Sequence, residues 1–99
     1  MFGLHNNDME KLRNVFVHFP EVEEVVLYGS RAKGNYHNGS DIDITMKGKN
    51  LNGDLSAKIA LALDDLLLPY MIDLSVFHQI NNPDLVNHIN RVGRPFYKK

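Results

Sequence analysis

Asp41 and Asp43, separated by one isoleucine, follow a Gly-Ser pair, Gly29 and Ser30, after ten intervening residues in the stretch GSRAKGNYHNGSDID. Polar and apolar residues alternate from Asp41 to Ile44, which is the period of a strand, so both carboxylates project from one face ~7 Å apart. Oxygens so placed can share a divalent cation. The run VVLY leads into Gly29 and small or polar residues follow it, so the backbone can leave a strand sharply and begin a helix. The first N–H groups of such a helix have no internal partner and suit a phosphate. A hard-cation site beside a phosphate-binding turn is what metal-assisted nucleotide chemistry requires.

A third carboxylate comes within reach once the elements around the motif are placed. Met71 to Phe77 reads as a strand in which Ile72, Leu74 and Val76 face one way and Met71, Asp73 and Ser75 the other. Leu55, Ile59, Leu63, Leu66 and Leu67 recur at helical spacing after Asn52 or Asp54 as cap and end before Pro69, so a helix separates this strand from the one at Asp41 to Met46. Strands joined through a helix are expected as parallel neighbours, which sets Asp73 beside Asp41 and Asp43. Crowded carboxylates raise one another's pKa values and destabilise the site unless a cation neutralises them. Mg²⁺ takes oxygen ligands and commonly joins one or two carboxylates to substrate phosphates. With two such ions, one activates the attacking oxygen and the other holds the leaving pyrophosphate.

The remaining elements supply the scaffold. Met9, Leu12, Val15, Phe16 and Phe19 mark an amphipathic helix from Asn7 to Phe19, with Asn7 and Glu10 spaced as a capping box and Pro20 as its stop. Glu21 to Tyr28 predicts a largely buried strand, residues 30 to 34 a short helix, and Asn35 to Ser40 a loop. Near the C-terminus Asn82 caps a helix with Pro83 in its first turn, Leu85, Val86, Ile89 and Val92 along one face, and Gly93 at its end. The tail RPFYKK is expected to dock Phe96 and Tyr97. This order predicts an α/β chain of the α+β type. Its small mixed sheet has three strands, helices pack mainly on one face, and the other face is open for chemistry.

Composition bounds the function. At 99 residues, 43% hydrophobic and 23% charged, the chain is read as a single globular domain, residues 1–99. Zero cysteines exclude thiolate metal sites, leaving oxygen or imidazole ligands. The N-terminus lacks the pattern of a secretory signal and no apolar run reaches the ~18 residues of a membrane span, so a cytoplasmic protein is expected. A net charge of −1 argues against a long polynucleotide as ligand, because such binding rests on many basic contacts.

Other phosphate and metal motifs fit worse. Asn35 and Tyr36 stand where a Walker A loop after Gly34 needs Lys and then Ser or Thr. No glycine stands two residues after Gly29, which excludes a dinucleotide fingerprint. Ile42, Ile44 and Met46 make a strand of what an EF-hand would need as a loop.

Gly-Ser, a spacer of about ten and then Asp-x-Asp resembles the signature of the minimal nucleotidyltransferases of the DNA polymerase beta superfamily. The resemblance runs through SRAKG and SDIDI, and the element order extends it over nearly the whole chain. It implies transfer of a nucleoside monophosphate from a triphosphate, most simply AMP from ATP, with pyrophosphate released and Mg²⁺ required. Carried over, Asp41 and Asp43 bind both metal ions, Asp73 binds the catalytic ion and helps activate the acceptor hydroxyl, and Gly29 and Ser30 hold the triphosphate. Larger members add a domain that grips the acceptor, so here a partner protein or second subunit is expected to complete the site. Minimal members are often paired with a helical HEPN-domain protein as toxin and antitoxin, with the HEPN chain as acceptor. The alternatives are a catalytically weak module that regulates such a partner by contact, and transfer to a small hydroxylated compound such as an aminoglycoside.

Arg31 and Lys33 are candidates for phosphate contact, against a solvated helix face or pairing with an aspartate. The histidines at 5, 18, 37, 78 and 88 show no paired metal spacing and are expected at the surface, with His37 in the motif loop. Leu66, Leu67 and Leu68 are too wide a run for one apolar stripe and are read as core.

Overall fold

The computed structural model describes residues 2–37 and 39–99, so Asn38 of the motif loop lies outside the described residues. Four strands and four α-helices follow in the order α1 (Asn6–Val17), β1 (Glu24–Tyr28), α2 (Gly29–Lys33), β2 (Ile42–Lys47), α3 (Gly53–Asp64), β3 (Ile72–Val76), α4 (Pro83–Val92) and β4 (Arg94–Lys98). A short 3-10 turn, Phe77–Gln79, joins β3 to the loop before α4.

The sheet order is β3-β2-β1-β4. The C-terminal tail is therefore a fourth strand, antiparallel to β1, where a docked tail on a three-stranded sheet was expected. Pro95 is tolerated in it because β4 is an edge strand, where a missing N–H breaks no second ladder. A register shift between Val25 and Val26 lets Phe96 reach the core. β2 pairs antiparallel with β1 and parallel with β3, so the crossover through α3 gives the expected parallel neighbours.

Period-two alternation divides the sheet into two unlike faces. Val25, Leu27, Ile42, Ile44, Met46 and Val76 point into the main core, where Leu12 and Phe16 of α1 and Ile59 and Leu63 of α3 meet them. Each such burial stabilises the fold by about 1.5–3 kcal/mol relative to exposure. On the opposite face Val26 and Tyr28 of β1 pack against Ile89, Leu85 and Val92 of α4. The face expected to be open is thus partly roofed, and the strip along β2 and β3 is what remains for chemistry.

Local signals account for the helix ends, with corrections. α1 begins at Asn6 with His5 as an N-cap that makes no side-chain bond, so Asn7 lies inside the first turn and the Asn7–Glu10 capping box is not used. The Asn52 side chain accepts from Leu55 N–H at 2.9 Å and caps α3. Asn82 caps α4 by accepting from Asp84 N–H at 2.9 Å. Gly93 ends α4 without a left-handed turn, having φ −60°. It is glycine because a Cβ there would meet the Ile89 carbonyl and lie 2.6 Å from Val26 Cγ1. β1 starts at Glu24, later than expected, because Val22 N–H closes a turn onto Phe19 O at 2.9 Å. The leucine run splits: Leu66 and Leu68 pack against the core, while Leu67, at φ +55°, is 88% exposed. No helix among the described residues is long and apolar enough to cross a membrane.

Candidate active site

The site is assembled where β1 runs out. β1 pairs with β2 through Tyr28↔Asp43, and the chain then turns at Gly29, whose φ is +74°. That left-handed conformation is open to glycine and strained for other residues. A side chain would also be excluded sterically, since a Cβ on Gly29 would run into the Asp43 carboxylate. The turn and the second aspartate of the motif are therefore packed against each other, which the linear spacing did not reveal. Ser30 follows in the first turn of α2, half-buried.

Asp43 and Asp73 are direct register partners on the parallel strands β2 and β3. One step along the same face, Ser75 Oγ donates to Thr45 Oγ1 at 2.8 Å and ties the two strands in that register. Asp41 is exposed and sits immediately before β2, where Ile42 N–H donates to Met71 O at 2.8 Å and holds the two strand entries together. The structure thus brings Asp41, Asp43 and Asp73 to one end of the β2–β3 strip.

Electrostatics registers their proximity. The Asp43 carboxyl is held above its ordinary pKa, first by burial, then by the charges of Asp73 and Asp41, with His88 opposing. Tyr28 beside it is also raised, by burial first and with the charges of Asp73 and Asp43 contributing, against its hydrogen bond with Ser75. Among the described residues no group of three or more His, Asp or Glu side chains encloses a metal position by itself. The donor set is hard oxygen, mutually repelling and open on one side. It fits a Mg²⁺ ion that takes one or two carboxylates and completes its shell with phosphate oxygens and water.

Arg31 is buried beside that site. It is 2% exposed, and its guanidinium is committed to backbone carbonyls: Nε and Nη2 donate to Ser40 O at 3.2 and 2.9 Å, and Nη1 donates to Phe2 O at 2.9 Å. The rings of Tyr36 and Tyr70 lie 5.2 and 5.0 Å away. Arg31 is a buried strut that fixes the loop end at Ser40, one residue before Asp41, and its fork is not free for phosphate. Lys33 is exposed on the last turn of α2. His37 is exposed too, and its N–H donates to Ser40 Oγ at 2.7 Å as part of the loop itself.

His88 was not foreseen at the site. It is half-buried on α4, accepts a hydrogen bond from Gly29 N–H through Nε2 at 3.2 Å, and meets Tyr28 edge-on at 6.1 Å. The signal was present, because His88 lies three residues after Leu85 and four before Val92, on the same side of α4 as the apolar stripe. The cavity of about 450 Å³ lined by Lys47, Gly48, Lys49, Phe77 and His78 is at the opposite end of β2.

Comparison with known proteins agrees with this architecture. The family model described as Polymerase beta, Nucleotidyltransferase matches residues 10–99. A crystal structure of a toxin–antitoxin with AMP-PNP superposes with a TM-score of 0.73 at 24% identity, covering 97% of this chain and 75% of that one. A chain of the complex between tri-AMPylated Shewanella oneidensis HEPN toxin and MNT antitoxin gives 0.71 at 17% identity, covering 97% and 74%. A Sulfolobus solfataricus protein assigned as a nucleotidyltransferase gives 0.58 at 25% identity, covering 92% and 77%. No curated relative matches in sequence.

Proposed function

Because this chain belongs to the polymerase beta nucleotidyltransferase family, we propose that it transfers a nucleoside monophosphate, AMP from ATP, to a hydroxyl on a HEPN-type partner protein with Mg²⁺ as cofactor. The observation that carries this reading is the in-register pair Asp43 and Asp73 set against the Gly29 turn, where burial and neighbouring negative charge press on Asp43. The AMP-PNP and AMPylated-toxin complexes among the structural neighbours support the choice of nucleotide and acceptor.

Asp43 and Asp73, with Asp41 beside them, would supply carboxylate oxygens to the metal, and phosphate oxygens and water would complete its shell. A Mg²⁺ ion held there would supply charge neutralisation to the substrate phosphates. Ser30 and the N–H groups that follow Gly29 in the first turn of α2 hold the triphosphate, oriented by the fixed angle at Gly29. Asp73 lies on β3, on the open side of Asp43, and takes the proton from the acceptor hydroxyl. That oxygen forms its bond to the α-phosphorus while the bond from phosphorus to the bridging oxygen breaks and pyrophosphate leaves.

The test is incubation of the chain and its HEPN-type partner with α-labelled ATP and Mg²⁺. Label on the partner is the expected result, absent with Asp43→Asn and absent in EDTA. An unlabelled partner that the wild-type chain nevertheless holds in check would overturn catalysis in favour of control by contact.

A further inference from the structure

The Gly29 N–H lies one step beyond the ladders that hold β1, since β2 pairs up to Tyr28 and β4 only up to Leu27. A half-buried backbone donor without an acceptor is costly, and no strand supplies one here. His88 does, with Nε2 at 3.2 Å. An imidazole nitrogen accepts such a bond in the tautomer whose hydrogen is on the other nitrogen, Nδ1. The ring is steadied edge-on by Tyr28, at 6.1 Å and 79°. Leu85, Ile89 and Val92 of the same helix are seated on Val26 and Tyr28. Gly29 is therefore gripped from two sides, by the His88 nitrogen and by the Asp43 carboxylate that leaves no space for a Cβ.

We infer that His88 is a positioning residue for the nucleotide site: it continues the ladder past the end of β1 and fixes the Gly29–Ser30 turn against Asp43. This rests on the nucleotide reading of that turn. α4 thereby becomes part of the site's frame, touching it through one polar atom while its apolar stripe holds the sheet.

The full chain carrying His88→Leu, which keeps bulk and removes the acceptor, is compared with His88→Gln, whose amide oxygen reaches about as far as Nε2. Exchange of the Gly29 amide by NMR reads the hydrogen bond, calorimetry with AMP-PNP and Mg²⁺ reads the site, and thermal unfolding verifies the fold. His88→Leu is expected to speed Gly29 exchange and weaken nucleotide binding, each roughly tenfold, the factor one hydrogen bond carries. His88→Gln is expected to restore both to within roughly threefold. Unchanged exchange and affinity in His88→Leu would overturn the inference, as would equal losses in His88→Gln, which would mean the imidazole acts in some other way. Wild-type protein that binds no AMP-PNP would overturn the nucleotide reading itself, a failure told apart from the others because it appears before any substitution.

Discussion

One strand, β2, serves two regions with opposite demands. Ile42, Ile44 and Met46 are sealed in the core between the sheet and helices α1 and α3. Asp43 and Thr45, interleaved with them, face the β3 partners Asp73 and Ser75 and the Gly29 turn. On the core side the three side chains of β2 are fully buried among apolar neighbours. On the other, repulsion among carboxylates is left standing, and it is tolerated because the core side fixes the backbone that carries it. A register slip of one residue would exchange the two faces, so the burial of the isoleucines also specifies where the aspartates point.

The sharpest way to break this division is on the chemical face. Asp43→Asn keeps the shape beside Gly29 and removes the charge, and nucleotidyl transfer is expected to fall by roughly 10²–10³-fold or more, the scale of losing one preorganised electrostatic group. Circular dichroism should show an unaltered fold. On the core face the effect should invert. Ile44→Ala, one residue away, is expected to cost about 3 kcal/mol of stability in urea unfolding while transfer per folded molecule stays near wild type. Equal activity losses in both variants would show that the two faces are not separable.

Arg31 tests the boundary between the regions, because it lies in the motif yet behaves as core. A cation that met phosphate would tolerate lysine, whereas a fork spread over Ser40 O and Phe2 O would not. Arg31→Lys is expected to lose about 2 kcal/mol of stability, the scale of one or two charge-assisted hydrogen bonds. A stable Arg31→Lys protein with weakened AMP-PNP binding would return Arg31 to the phosphate site.

These residues also mark what could be read from the sequence. Asp41, Asp43, Gly29 and Ser30 were legible because their relations are local: a strand period and a strand-to-helix turn. Asp73 was legible one step further out, since the crossover through α3 makes β2 and β3 parallel and Asp43↔Asp73 follows from register. Arg31 was not, because its partners Phe2, Ser40, Tyr36 and Tyr70 come together only in three dimensions. β4 was hidden by a proline and lysines, which an edge strand accepts and a sequence pattern reads as a tail. His88 was missed because its acceptor role arises from a ladder that ends one residue short.

The smallest effect concerns stability and pH, and it reads the unresolved repulsion directly. Asp43 has its pKa raised in the folded chain, first by burial and then by Asp73 and Asp41. Between the ordinary carboxylate range and that raised value, the folded state binds more protons than the unfolded state. The contribution of Asp43 to the stability of metal-free protein should therefore be full below this window and be lost as pH rises through it. Asp43→Asn should flatten that decline and give the more stable metal-free protein at neutral pH, the opposite sign from its effect on transfer. Mg²⁺ should restore wild-type stability at neutral pH by taking the place of the proton, and should do much less for Asp43→Asn. Thermal melts across the acidic range up to neutrality, with and without Mg²⁺, measure all of this. A wild-type curve that rises through the window would mean that the carboxylates are compensated within the chain, and the division between a relaxed core face and a charged working face would fail.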